Sequence, residues 1–267
     1  MKSELLTYTS ILFYNRQIFL LNYEKEFKAF EDSNEQLLKI AKVISKKRSD
    51  QNESLVGLIP FFLIIERQTT NAFDCLCQYQ SYQTWIVFRP ALEAALIIGK
   101  FLDDPANAKL WKNRKQIWKN RKQDKERYKK YKREFEGDGL IPLSLPHGRE
   151  FRQLLTKIND EFMHVNFEYF NRSHSIEDID SESVFMKLNY VDEDSKEHKA
   201  NLLSFLHMYR LLGSSLGQAL ASKYSKEQAL NVEIESIEKI WKPEIVELIK
   251  EKPSLKELCQ TFGLWRI

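Results

Sequence analysis

The hydrophobic positions along this chain recur at intervals of three and four far more than at intervals of two. Phe151, Leu154, Leu155, Ile158, Phe162, Val165 and Tyr169 form one such seam and predict a helix over 148–170 with a single apolar face. The same period predicts helices over 4–30, 34–48, 53–80, 82–102, 105–135, 197–222, 226–250 and 254–262. Start signals support several of these. Ser33-x-x-Gln36, Ser225-x-x-Gln228 and Ser254-x-x-Glu257 have the capping-box form, in which each side chain satisfies a backbone donor that the first turn leaves unpaired. Asp104 followed by Pro105 places a carboxylate at a helix start and pre-sets φ just inside it. Alternation is confined to Ser183–Val191, where Val184, Met186, Leu188 and Tyr190 could line a short strand.

Composition sharpens this into a fold class. Glycine and proline together number 15 of 267 residues, well under the usual ~12% share, and folds rich in turns need more. The expectation is an all-α protein, a multi-helix bundle forming one domain over 1–267. Three of the eight glycines and two of the seven prolines fall between Gly137 and Gly148, which predicts a loop there. The most apolar run, Leu55–Ile65, has 11 residues and contains Gly57 and Pro60, too short for the ~20 that span a bilayer. No secretory leader is expected at the start. Cys75, Cys77 and Cys259 give neither an even disulfide set nor four zinc ligands, which fits a reducing cytoplasmic location.

The net charge of +3 conceals a strong asymmetry. Residues 104–135 hold 13 Lys or Arg against 4 Asp or Glu, net +9, which leaves the remainder at net −6. Residues 172–198 are net −5, so 172–196 reads as an acidic connector. Within the basic stretch, Trp111-Lys-Asn-Arg-Lys-Gln116 is repeated without change from Trp118 to Gln123. On one helix a spacing of seven puts Trp111 and Trp118 on the same face, in a seam with Leu110, Ile117, Tyr128, Tyr131 and Phe135 that lapses from Arg121 to Lys125. Lys112, Lys115, Lys119, Lys122, Lys129 and Arg133 line another face. A long basic amphipathic helix over 105–135, about 46 Å in length, is the expectation. Its lysines suit phosphates; its tryptophans suit a partner helix or a second copy of the chain.

Candidate chemistry is sparse. Arg89 and Glu93 stand at i and i+4 inside the apolar run Trp85–Ile98, where charges are costly unless paired. The two are expected to face each other or a polar cleft, as a buried or half-buried ion network that knits helices together or as part of a functional cleft. Glu161-Phe-Met-His164 has the Glu-x-x-His spacing of di-iron bundles, although such a site needs two copies and the chain has one. His207 sits in an apolar seam where packing is expected. His147, His174 and His198 lack ligand-like spacing. There is no glycine-rich phosphate loop, nucleophile elbow or zincin motif, and no cofactor is expected.

Arg89-Pro-Ala-Leu-Glu93, then Phe101-Leu-Asp-Asp-Pro105, then Ile158-Asn-Asp-Glu-Phe-Met-His164, resembles the pattern of an uncharacterised bacterial all-helical family with HEPN-like features. The last element is similar to the HEPN signature Arg-Asn-x-apolar-x-His, with Asn159, Asp160, Phe162 and His164 in register. Asn159 occupies the position of the signature arginine, so the motif is degenerate. The resemblance implies a compact, often dimeric helical bundle, of a kind found among RNA-cleaving toxins and phage-defence effectors. It makes His164, Arg89, Glu93, Asn159 and Asp160 candidate catalytic residues. Three functions stay open. One is a non-catalytic or degenerate HEPN-like interaction protein associated with RNA or with a bacterial toxin or defence system. The second is a metal-independent RNase using His164 with Arg89 and Glu93. The third is a metal-binding bundle using Glu161 and His164. Partners are expected to be a second copy, a helical protein or RNA, and no membrane.

Overall fold

A computed structural model describes residues 4–46, 57–162, 174–178, 184–188, 195–224 and 237–261. In chain order the helices are α1 (Glu4–Asn22), α2 (Glu24–Lys46), α3 (Ile59–Cys77), α4 (Ser81–Asp103), α5 (Ala106–Lys112), α6 (Arg114–Lys119), α7 (Lys125–Phe135), α8 (Gly148–Phe162), α9 (Ser195–Tyr224), α10 (Ile237–Glu251) and α11 (Leu255–Thr261). A 3₁₀ turn over Gly137–Leu140 follows α7. The protein is an all-α multi-helix bundle. The alternation at 183–191 appears as β2 (Val184–Leu188), paired antiparallel with β1 (His174–Asp178) in a two-stranded hairpin inside the acidic connector. The capping box at Ser225 lies outside the described residues.

The centre is the antiparallel pair α3–α4, whose short connection at Gln78–Gln80 holds Tyr79 at φ 59°. Helix α9 packs on α4 and α2, α2 packs also on α3, and α8 packs on α4. Aromatic rings from five helices fill the space between them. Phe30 and Phe73 stack at 4.0 Å, and Phe88 and Phe205 meet edge-to-face at 5.1 Å. Trp85 is fully buried and its indole N–H donates to Asn201 Oδ1 at 2.8 Å. His198, at the start of α9, is also fully buried, stacked 4.3 Å from Tyr79 with the Ser81 hydroxyl 3.3 Å from its Nδ1. Lys199 pairs with the buried Glu26 of α2 and with Glu244 of α10, joining three helices.

Two expected boundaries are wrong. The break predicted between 30 and 34 falls instead at Tyr23, because Phe19 and Tyr23 turn inward onto His198 and Tyr79. Ser33 is therefore not an N-cap: it is buried within α2, and its hydroxyl donates to the Ala29 carbonyl at 2.7 Å. Asp104, by contrast, accepts from the Ala106 N–H at 2.8 Å, as the sequence predicts.

The larger correction concerns 105–135. It is not one long helix but three short ones that double back. Helix α5 ends at Asn113 (φ −89°, ψ 6°) and α6 at Asn120 (φ −92°, ψ 12°), so the repeated sequence produces the same helix end twice. Asp124 then caps α7 by accepting from the Arg127 N–H at 3.1 Å. The lapse in the seam from Arg121 to Lys125 is the turn of a helical hairpin.

The hairpin is rooted in the bundle. Leu110, Ile117 and Phe135 are buried, Asn107 Nδ2 donates to the Lys100 carbonyl at 3.1 Å, and Lys100 Nζ donates to Glu134 Oε2 at 2.8 Å. Below it the loop 141–147 is clamped to α4. Asp103 accepts from the backbone N–H groups of Leu143 and Ser144, both at 2.7 Å. Gly99 lets this loop approach, since a Cβ there would lie 2.4 Å from Pro142 Cγ. No helix among the described residues is long and apolar enough to cross a membrane.

Candidate functional site

Two places gather the candidate residues. In the first, α4 and α8 face each other. The apolar seam of α8 buries Phe151, Leu154, Leu155 and Ile158, which turns the next residue, Asn159, towards the edge of α4. There Arg89 Nε donates to Asn159 Oδ1 at 2.6 Å, while its Nη2 lies 2.7 Å from Glu93 Oε1. Sequence elements 70 residues apart thus meet. The pair is half-buried, with side-chain exposures of 30% for Arg89 and 36% for Glu93. Asp160 is exposed on α8. His164 and the Glu161 side chain lie outside the described residues, so their position relative to Arg89 is not part of the observed cluster. Arg89 spends its charge on Glu93, which lowers its capacity to hold a phosphate.

The second place is the helical hairpin α5–α7. Lys112, Lys115, Lys119 and Lys122 are exposed along α5, α6 and the turn, and none forms an ion pair with a described residue. The two predicted lysine-stripe members on α7 differ: Lys129 lies 3.2 Å from Glu126, and Arg133 lies 3.2 Å from Glu134. The stripe is therefore not one face of one rod. It is a cluster on the first limb and tip, with a partly neutralised second limb.

The tryptophans part company. Trp111 is half-buried between the limbs, 5.0 Å from Phe135 and 6.4 Å from Tyr131, so it closes intramolecular packing rather than offering a partner an anchor. Trp118, near the tip, is 52% exposed and meets Tyr128 edge-on at 5.6 Å. Reading the sequence did not single out Arg114 and Arg121. Each folds back over the tryptophan three residues earlier, at 4.6 Å and 5.0 Å from the ring centre, and donates to that residue's carbonyl. The signal was present in the Trp-x-x-Arg spacing of both repeats.

Among the described residues no group of three His, Cys, Asp or Glu side chains could hold a metal ion. The thiols are poor nucleophiles, since burial pushes Cys75 and Cys259 up to about 11 and Cys77 up to about 12. His147 rests 3.4 Å from Glu150 near the loop clamp, and His207 is half-buried in α9. No protein-family model matches this chain, and no curated protein and no solved structure is similar to it.

Proposed function

We propose that this protein is a non-catalytic, HEPN-like helical protein that associates with RNA through the hairpin α5–α7. The observation that carries the reading is the set of four exposed lysines, Lys112, Lys115, Lys119 and Lys122, none of which forms an ion pair with a described residue. Cations left unpaired on a limb that packs mainly against its own partner limb suit a polyanion. The rest of the chain is net −6 and repels the same ligand, which confines contact to the hairpin. Binding of a homopolymer RNA should weaken steeply with salt, with a log–log slope of about −3 if all four lysines displace counterions from a single strand. Replacing the four by glutamine should flatten that slope. An affinity that ignores salt, or no binding at low salt, would overturn the reading.

A second reading keeps RNA as ligand but adds cleavage by His164 with Arg89 and Glu93. The contact between Arg89 and Asn159 favours it, because it joins the two parts of the HEPN-like pattern. Purified protein that cleaves RNA in chelator, and loses that activity in His164→Ala, is the outcome this reading expects. Intact RNA after prolonged incubation would dismiss it.

A further inference from the structure

Resting on the reading of the hairpin as an RNA-contacting arm, we infer that Trp118 and Arg121 form a stacking platform for an unpaired base, so that the ligand is single-stranded RNA. The repeat supplies its own comparison. Both units build the same local object, an indole with the guanidinium of the residue three positions later lying over it. In the first unit that object is consumed by folding, since Trp111 packs against Tyr131 and Phe135. In the second it is left largely in water: Trp118 is 52% exposed and meets Tyr128 in a T-shaped contact at 5.6 Å. An indole covered by Arg121 on one face and met by Tyr128 in a T-shaped contact, yet 52% exposed, suits a flat apolar ligand. Lys115, Lys119 and Lys122, all exposed, lie within four residues of it and suit the phosphates on either side of that ligand. A nucleobase between two phosphates satisfies both demands, and base–aromatic stacking of this kind is tolerant of sequence. A duplex does not, because its bases are already stacked and paired.

The chief competitor is an anionic lipid surface, which also attracts cations flanking a tryptophan. Insertion needs apolar side chains at the tip, and residues 121–127 read Arg-Lys-Gln-Asp-Lys-Glu-Arg, all exposed. The tip favours RNA.

The test uses the full chain and three probes: a labelled oligouridylate of about twelve nucleotides, a blunt RNA duplex of the same length, and phosphatidylserine vesicles. Trp118→Ala should bind the single strand about tenfold more weakly, with its salt slope and helical circular dichroism unchanged. Trp118→Phe should recover most of that loss, and duplex binding should not respond to either change. Equal losses on strand and duplex, or no loss on either, would overturn the platform while leaving the RNA arm in place. A parent protein that binds neither RNA would remove the arm itself and the platform with it. Vesicle binding tighter than RNA binding, and lost in Trp118→Ala, would replace the base with a lipid surface.

Discussion

Tyr79 shows how single residues in this protein answer to distant ones. A φ of 59° is uncommon for any side chain other than glycine or asparagine and costs on the order of 1 kcal/mol. The ring recovers that cost by stacking on His198, more than a hundred residues later. Gly99 is the converse case. Its missing side chain makes room for Pro142 and Leu145, so Gly99→Ala forces a methyl to within 2.4 Å of Pro142 Cγ. Despite alanine's better helix propensity, that substitution should destabilise the protein by about 1–3 kcal/mol, read as a lower urea midpoint. A midpoint at or above the parent's would mean that the loop simply moves away. Neither position declares itself in the sequence: Tyr79 looks like an ordinary aromatic and Gly99 like a helix-weakening residue among Ile97, Ile98 and Phe101.

At the scale of elements, an ion pair adds to the packing that ties the hairpin α5–α7 to the bundle. Lys100 and Glu134 have side-chain exposures of 10% and 20%, and the hydrogen bond from Lys100 holds the Glu134 carboxyl below the usual carboxylate range. Glu134→Gln leaves the Lys100 ammonium half-desolvated and should cost about 3 kcal/mol at neutral pH, the low end for stripping one partner from a buried pair. The sign of the pH dependence follows from the depressed value. The pair's contribution is complete above the ordinary glutamate range and disappears as pH falls through the lowered value. Urea midpoints of parent and variant should therefore differ at pH 7 and converge in acid. A gap that stays constant across that range would assign the loss to packing rather than charge. The hairpin also shows how far helix signals can be trusted. The repeat, the lapse from Arg121 to Lys125 and Asp124 were all visible, but a heptad spacing is equally compatible with one rod or with two short helices that each end at an asparagine. Folding back lets Trp111 reach Phe135, and a straight helix cannot bring those two rings together.

Across the whole molecule, one aromatic core draws on α1, α2, α3, α4 and α9. Phe73 is central to it, meeting Phe19, Phe27, Phe30 and Phe205 from three other helices. Phe73→Ala opens a cavity that no neighbouring side chain can fill without leaving another contact, so a loss of about 3–5 kcal/mol is expected. Because the ring ties elements from both halves of the chain, far-UV circular dichroism and tryptophan fluorescence should report the same lowered midpoint. Two separated transitions would show that the halves unfold independently. Charge is organised on the same scale, with a net +9 segment set against a net −6 remainder, and it is this division that points the basic hairpin toward a polyanion.

The sequence by itself determined the class of fold, the loop after the basic segment, the capped start at Asp104 and the charge asymmetry, because each depends on local spacing and composition. It also picked out Arg89 and Glu93, since charges set in an apolar run must find partners, while Asn159, which the fold brings against Arg89, came only from the HEPN-like resemblance. Tertiary structure alone decided where α1 ends and α2 begins, that Ser33 lies inside a helix, and that 105–135 doubles back. It also decided that one tryptophan of an identical pair is packed and the other exposed. Those outcomes turn on which distant ring or carboxylate is near enough to offset a local cost: Tyr79 and His198 for the inward turn at Tyr23, Phe135 for Trp111, and Glu134 for Lys100. Identical hexapeptides took different roles because contacts that lie outside the hexapeptide decided between them.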